Sequence, residues 1–239
     1  MDLRAVNAAA RSDIVGYAVA AGDNAERLLD DAELLSGAGR LARACSLAVL
    51  ALEEIGKLAG LIALAKLPED LRAQAPAGRL LEWHQLKQVG GILLAQVDTG
   101  PPDVALRLVG MSPAKVAGIL DTTKELALDT DRLKMRGLYV DMDRGRQILA
   151  PSMITEAEVN GQLDRARHAF QATLLHDPDV RARIADPPAE AVALSRALFS
   201  ALAEAGGSTR SRAAAAVLLN AVSEFERDMA ARYLVPAPR

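Results

Sequence analysis

Ser46–Leu58, SLAVLALEEIGKL, sets two glutamates and a lysine inside an otherwise apolar helical stretch. The residues on either side, 41–52 and 58–67, are mostly Ala, Leu, Ile and Val. Such a segment belongs in the interior of a helical protein, where Glu and Lys are almost never left unpaired. Glu53 and Lys57 are four apart in the favourable Glu-before-Lys order, and Glu54 is three from Lys57, so all three can meet across one turn. Two readings follow. One is structural: an intrahelical ion pair, or a dimer contact in which Gly56 and Gly60 let another helix approach closely. The other is a site, in which buried acids orient a cationic group.

Outward from this helix, the composition favours an all-α fold. Aromatics make up only 3% of 239 residues, so the core rests on Leu, Ala, Val and Ile, and the abundant Ala and Leu favour helix. Helical periodicity predicts a first helix over Leu3–Ala21 and a second over Asp23–Leu35, then a turn at 36–39. The central helix follows over Arg40–Lys66 and ends at Pro68. Another is predicted over Arg79–Val97, before the Gly100-Pro101-Pro102 breaker. Ser112-Pro113 is an N-cap followed by proline, opening a helix to about Leu133. Met135–Ser152 is a long polar connection, and Thr155 with Glu158 forms a capping box for a helix to about Leu175. Asp177-Pro178 and Asp186-Pro187-Pro188 open further segments, and Gly206-Gly207 separates a last pair ending near Tyr233. The breaker divides an N-terminal unit, 1–100, which carries EEIGK and RLLEWH, from a C-terminal region, 101–239, expected to pack on it as one body.

A net charge of −3 gives no global attraction for nucleic acid, so an anion-binding surface would have to be local. The basic residues are 22 Arg and 6 Lys. The single cysteine, Cys45, cannot form an internal disulfide and reads as a buried small hydrophobe. The N-terminus lacks the pattern of a secretory signal, and Glu53, Glu54 and Lys57 interrupt the best candidate for a membrane span. A cytoplasmic protein is expected. His84, His168 and His176 are far apart, no His/Cys pair has zinc spacing, and no phosphate-loop or dinucleotide fingerprint occurs. Neither metal nor cofactor is expected.

Two further constellations carry chemistry. In Arg79-Leu-Leu-Glu-Trp-His84, followed by Lys87, the histidine and lysine are three apart and share a helix face, so both can reach one phosphate. Arg79, five before His84, converges with it only from the first turn or the preceding loop. A histidine that moves a proton and an arginine that stabilises a phosphorane could cleave RNA without metal. Against this, so many arginines make a chance Arg–His match at this spacing common. The second is Lys134–Asp141, KMRGLYVD, where Lys134, Tyr139 and Asp141 lie in a predicted loop and could serve a site. Alternatively, Leu138, Tyr139 and Val140 plug that loop onto the helices.

Together, the helix pair from Asp23 through EEIGKL, the following WHQLKQ and the later KMRGLYVD resemble the AbiV family of abortive-infection proteins, placed in the HEPN superfamily of helical bundles. The resemblance runs from about Asp23 to at least Pro151. It implies a HEPN-like bundle with additional C-terminal helices, a bacterial anti-phage role, a homodimer, and metal-independent endoribonuclease activity. It would make Arg79 and His84 the Arg-x(4–6)-His motif and Glu53 and Lys57 the accompanying Glu-x3-Lys element. His84, Arg79 and Lys87 are then the catalytic candidates, with Glu53, Glu54 and Lys57 orienting them. The competing expectation is a non-catalytic protein that binds a phage or translation-related protein.

Overall fold

The computed structural model describes residues 9–66, 69–72, 84–95, 113–139, 141–143, 147–149 and 151–173, with 182 and 189 as isolated positions. Helix α1 (Arg11–Gly37) buries Ile14, Ala18, Ala21, Ala25, Leu29 and Ala32, a stripe spaced by three or four residues. The predicted break near residue 22 is absent. Gly22 lies on this same buried face within one continuous helix. A helical glycine costs about 1 kcal/mol relative to alanine. Burying one Leu or Ile contributes about 1.5–3 kcal/mol, so the stripe as a whole overrides the breaker.

The chain then reverses over three residues. Gly39, at φ +71°, takes the left-handed conformation that glycine adopts without steric cost. The amides of Gly39 and Arg40 donate to the carbonyls of Ser36 and Leu35, closing a Schellman motif at the end of α1. Helix α2 (Leu41–Lys66) returns antiparallel. Ile14 and Ala18 meet Leu61, Leu64 and Ala65 at one end. Ala25, Leu29 and Ala32 join Ala44, Cys45 and Ala48 nearer the turn.

Helix α2 is apolar nearly all round because it is surrounded. It packs against α1 and also against α4 (His84–Ala95), α5 (Pro113–Leu138) and α6 (Glu156–Thr173). A one-turn helix α3 (Glu69–Arg72) follows α2 in the chain. The closest approach is between α2 and α4, where glycines face backbone. A Cβ on Gly56 would fall 1.7 Å from the Lys87 carbonyl oxygen, and one on Gly91 would fall 2.4 Å from that of Leu52. Gly56 therefore serves a close approach within the chain, where a dimer contact is one of its alternative readings from the sequence. At Gly60 no described atom lies within 4 Å of such a Cβ.

Helix α5 runs five residues beyond its predicted end at Leu133. The extra turn is held by tertiary contact with α2. Ser46 Oγ, which donates to the Ala42 carbonyl of its own helix at 3.0 Å, also lies 3.3 Å from the Lys134 carbonyl, and a Cβ on Gly137 would lie 2.3 Å from Ser46 Oγ. The expected loop over 135–152 is thus partly helix. It also contains a small antiparallel hairpin, β1 (Asp141–Asp143) with β2 (Gln147–Leu149), in which Met142 faces Ile148. A 3-10 turn at Pro151–Met153 leads into α6.

The capping box at the start of α6 forms as its spacing predicts. The Thr155 amide donates to Glu158 Oε2 at 2.8 Å, and the Glu158 amide donates to Thr155 Oγ1 at 3.3 Å. Arg136, near the end of α5, also binds the Glu158 carboxylate. Val159, Leu163, Ala166 and Ala169 face the common core with Ile92 and Ala127. The architecture is an all-α, HEPN-like bundle around α2, with one hairpin on it. The segments expected after 173 lie outside the described residues.

Gly56→Ala is expected to destabilise by about 3 kcal/mol or more, because the clash is with backbone that cannot swing away. Gly60→Ala should be neutral, or stabilising by up to about 1 kcal/mol from helix propensity. Chemical denaturation of the two variants distinguishes them. Thr155→Ala should cost about 1 kcal/mol in the same assay.

Candidate functional site: a buried acid–lysine network

The charges of EEIGK divide between two sides of α2. Lys57 Nζ lies 2.5 and 2.6 Å from the two Glu54 oxygens, and 5.8 Å from the ring centroid of Tyr17 on α1. Glu53 turns toward α4 and α5. The three-way meeting within one turn that the spacing allows does not occur, because two other helices bring cations to Glu53.

Glu53 is 3% exposed. Its Oε1 accepts from Lys134 Nζ at 2.7 Å and from Gln88 Nε2 at 2.9 Å. Lys87 Nζ stands 3.9 Å from Oε2, at the long end of an ion pair. Lys134 also pairs with Asp131 on its own helix at 2.9 Å, and Gln88 Nε2 reaches the same Asp131 Oδ1 at 3.4 Å. Three helices thus converge on one carboxylate. Adjacent positions on α4 supply Lys87 and Gln88, and adjacent turns of α5 supply Asp131 and Lys134.

Burial alone would drive the Lys134 ammonium toward its neutral form, but hydrogen bonds and charge from Glu53 and Asp131 outweigh it and raise its pKa. A raised folded value means that this contribution to stability is complete below the ordinary lysine range. It is lost only as pH climbs through the folded value. Near neutrality the Lys134 ammonium is therefore charged.

His84 is the first residue of α4, one turn before Lys87. Arg79 lies outside the described residues. Lys134, expected in a loop, is a helical and buried residue. Tyr139 follows α5 and is exposed, and Asp141 begins β1. The structure thus brings Lys134 to Glu53 and leaves Tyr139 exposed at the end of α5. Gln88 and Asp131 were not singled out from the sequence. Asp131 and Lys134 are an i,i+3 acid–lysine pair, a readable signal obscured by ending the helix at Leu133. Gln88 follows Lys87 directly, but a neutral amide among charged candidates gives no comparable signal.

Elsewhere in the bundle, burial pushes the Cys45 thiol up to about 11; the Glu158 charge adds to the rise and Arg136 opposes it. Cys45 is a poor nucleophile there. For Glu158, burial raises the carboxyl, but hydrogen bonds from Thr155 and Arg136 overcome this and hold it below the usual range. Among the described residues no group of three His, Cys, Asp or Glu is placed to hold a metal. None of the described helices is long and apolar enough to cross a membrane.

A helical bundle centred on α2, with its acid–lysine core, is consistent with a HEPN-like protein. The chain belongs to the AbiV family, bacterial abortive-infection proteins of that superfamily, whose family model matches residues 13–171. Comparison with curated proteins and with solved structures gives no significant match.

Glu53→Gln removes the shared carboxylate charge from two lysines and should destabilise by about 3 kcal/mol. Glu54→Gln breaks a more accessible pair and should cost less than about 1 kcal/mol. Urea denaturation at neutral pH checks both. Glu158→Gln should flatten the acid side of the stability profile. The wild-type contribution is present above the ordinary carboxyl value near 4.5 and is lost as pH falls through the lower folded value.

Proposed function

We propose that the protein restricts phage multiplication by acting on RNA, as a metal-independent endoribonuclease whose site is built on α2 and α4. The observation that carries this reading is the placement of Lys87. Its ammonium is largely buried, one turn from His84, and only loosely paired with Glu53. A cation that is desolvated but not fully neutralised by its counter-ion suits a phosphate.

In this reading His84 takes the proton from a ribose 2′-hydroxyl. The 2′-oxygen bonds to phosphorus, the bond to the 5′-oxygen breaks, and the leaving oxygen gains a proton. Lys87 holds the phosphate, and Arg79 supports the charge that develops on it. Glu53 orients Lys87 from below. Glu54 and Lys57, expected to orient the same cations, pair with each other on the α1 side of α2 and stand apart from this site. The protein acts in the cytoplasm as a homodimer and needs no cofactor.

A second reading has its own observation. Leu128, Met135 and Tyr139, spaced seven and four residues apart, are each at least 40% exposed, and Leu138 lies beside them. An apolar stripe along α5 suits contact with another protein. In that case the charged network fixes bundle geometry, and defence works by binding a phage or translation-related protein.

Total RNA from infected cells distinguishes the two. Under the nuclease reading, wild-type cells show RNA fragmentation and phage protection, and His84→Ala abolishes both. Intact RNA in both strains, with protection retained in the variant, would instead assign the activity to binding.

A further inference from the structure

We propose that Lys134 is a positioning residue for Lys87: it holds Glu53 from the α5 side and so keeps the Lys87 ammonium available to an anionic ligand. The inference rests on the proposed role of Lys87 as a phosphate-binding group.

The geometry is asymmetric in an informative way. Lys134 Nζ lies 2.7 Å from Glu53 Oε1, whereas Lys87 Nζ lies 3.9 Å from Glu53 Oε2. Both lysines are largely buried, so each could gain from a close pair with that carboxylate. Lys134 has the short contact because its helix is anchored over it. Gly137 lets α5 sit directly against Ala42 and Ser46 of α2 one turn later, and Ser46 Oγ shares its hydrogen between the Ala42 carbonyl and, at 3.3 Å, that of Lys134. Gln88, on α4, adds a second donor to the same Oε1 and also reaches Asp131 Oδ1, so that oxygen is already occupied.

Asp131 acts in the opposite sense. It shares Lys134 with Glu53, at 2.9 Å against 2.7 Å, and so draws part of the Lys134 charge away. Removing Lys134 therefore strengthens the pull of Glu53 on Lys87. Removing the charge of Asp131 weakens it, because Lys134 is then committed to Glu53 alone. These two changes act on Lys87 with opposite signs, although neither residue is on its helix. A purely structural role predicts something else: either change loosens the bundle and exposes Lys87.

The test is the rate at which an amine-reactive reagent labels Lys87 in the folded full-length protein, followed by peptide mass spectrometry. Lys134→Met should slow labelling several-fold relative to wild type, and Asp131→Asn should speed it. The double variant Glu53→Gln/Lys134→Met, which removes the carboxylate that captures Lys87, should restore the rate. Faster labelling in both single variants, or no change in either, overturns the proposal. If Lys134→Met does not fold, Lys134→Gln takes its place: slower labelling supports the inference, and an unchanged or faster rate overturns it.

A parallel arm uses a short single-stranded RNA and fluorescence anisotropy. Lys134→Met should weaken binding several-fold in the wild-type background and leave it unchanged in a Lys87→Ala background, the coupling expected of an effect relayed through Lys87. Equal weakening in both backgrounds counts against the relay. If the wild type does not bind RNA, the functional reading fails, while the labelling result still decides whether Lys134 positions Lys87.

Discussion

A carboxylate in the middle of an apolar bundle must be compensated from within, and Glu53 imposes that requirement on every helix around it. Taking one such ion out of water costs several kcal/mol unless cations and hydrogen-bond donors replace the solvent. Helix α2 cannot meet the need with its own lysine, since Lys57 is engaged with Glu54 on the side facing α1. The compensation arrives from α4 and α5, and this fixes the rotation of both about their axes. Gly56 and Gly91 make the α4 approach close enough, and Gly137 does the same for α5. The small residues and the buried charge are thus one design: the first sets the distance between helices and the second sets their register.

That arrangement joins stability to function without making them the same thing. A pair of hydrophobic residues at positions 53 and 134 could fill similar space at comparable or better stability. It would leave nothing to govern how tightly Lys87 is held. In the observed network one oxygen of Glu53 accepts from Lys134 on α5 and Gln88 on α4, and the other meets Lys87 at a longer distance. A chain of acids and lysines can therefore set the reactivity of a group one helix away, which an apolar core cannot do.

Much of this was legible in the sequence, and the failures have physical reasons. The EEIGK turn stood out because charge in an apolar helix demands a partner, and the partner is there. The Thr155–Glu158 capping box could be read because it is wholly local. What local reasoning could not supply was direction. Lys57 satisfies the spacing rule for both glutamates, and only the packing of α4 and α5 decides that Glu53 turns away from it. The end of α5 was misplaced for the same reason, since the turn through Lys134 and Gly137 is held by Ser46 across the bundle. Gly22 reads as a breaker until its place on the buried face of α1 is known. The glycines of α4 became meaningful only beside Gly56, about 35 residues away in the chain.

Cys45 gives the bundle a built-in reporter. It is the single thiol of the chain, fully buried in α2 beside the helices that enclose it. No reagent can reach it without separating those helices. Where reclosing outpaces modification, the rate of thiol capture measures the equilibrium between the closed bundle and its opened form. The native protein therefore carries its own opening clock at the centre of the fold. A phage component or nucleic acid that tightens or loosens the bundle would alter that clock without any label being introduced.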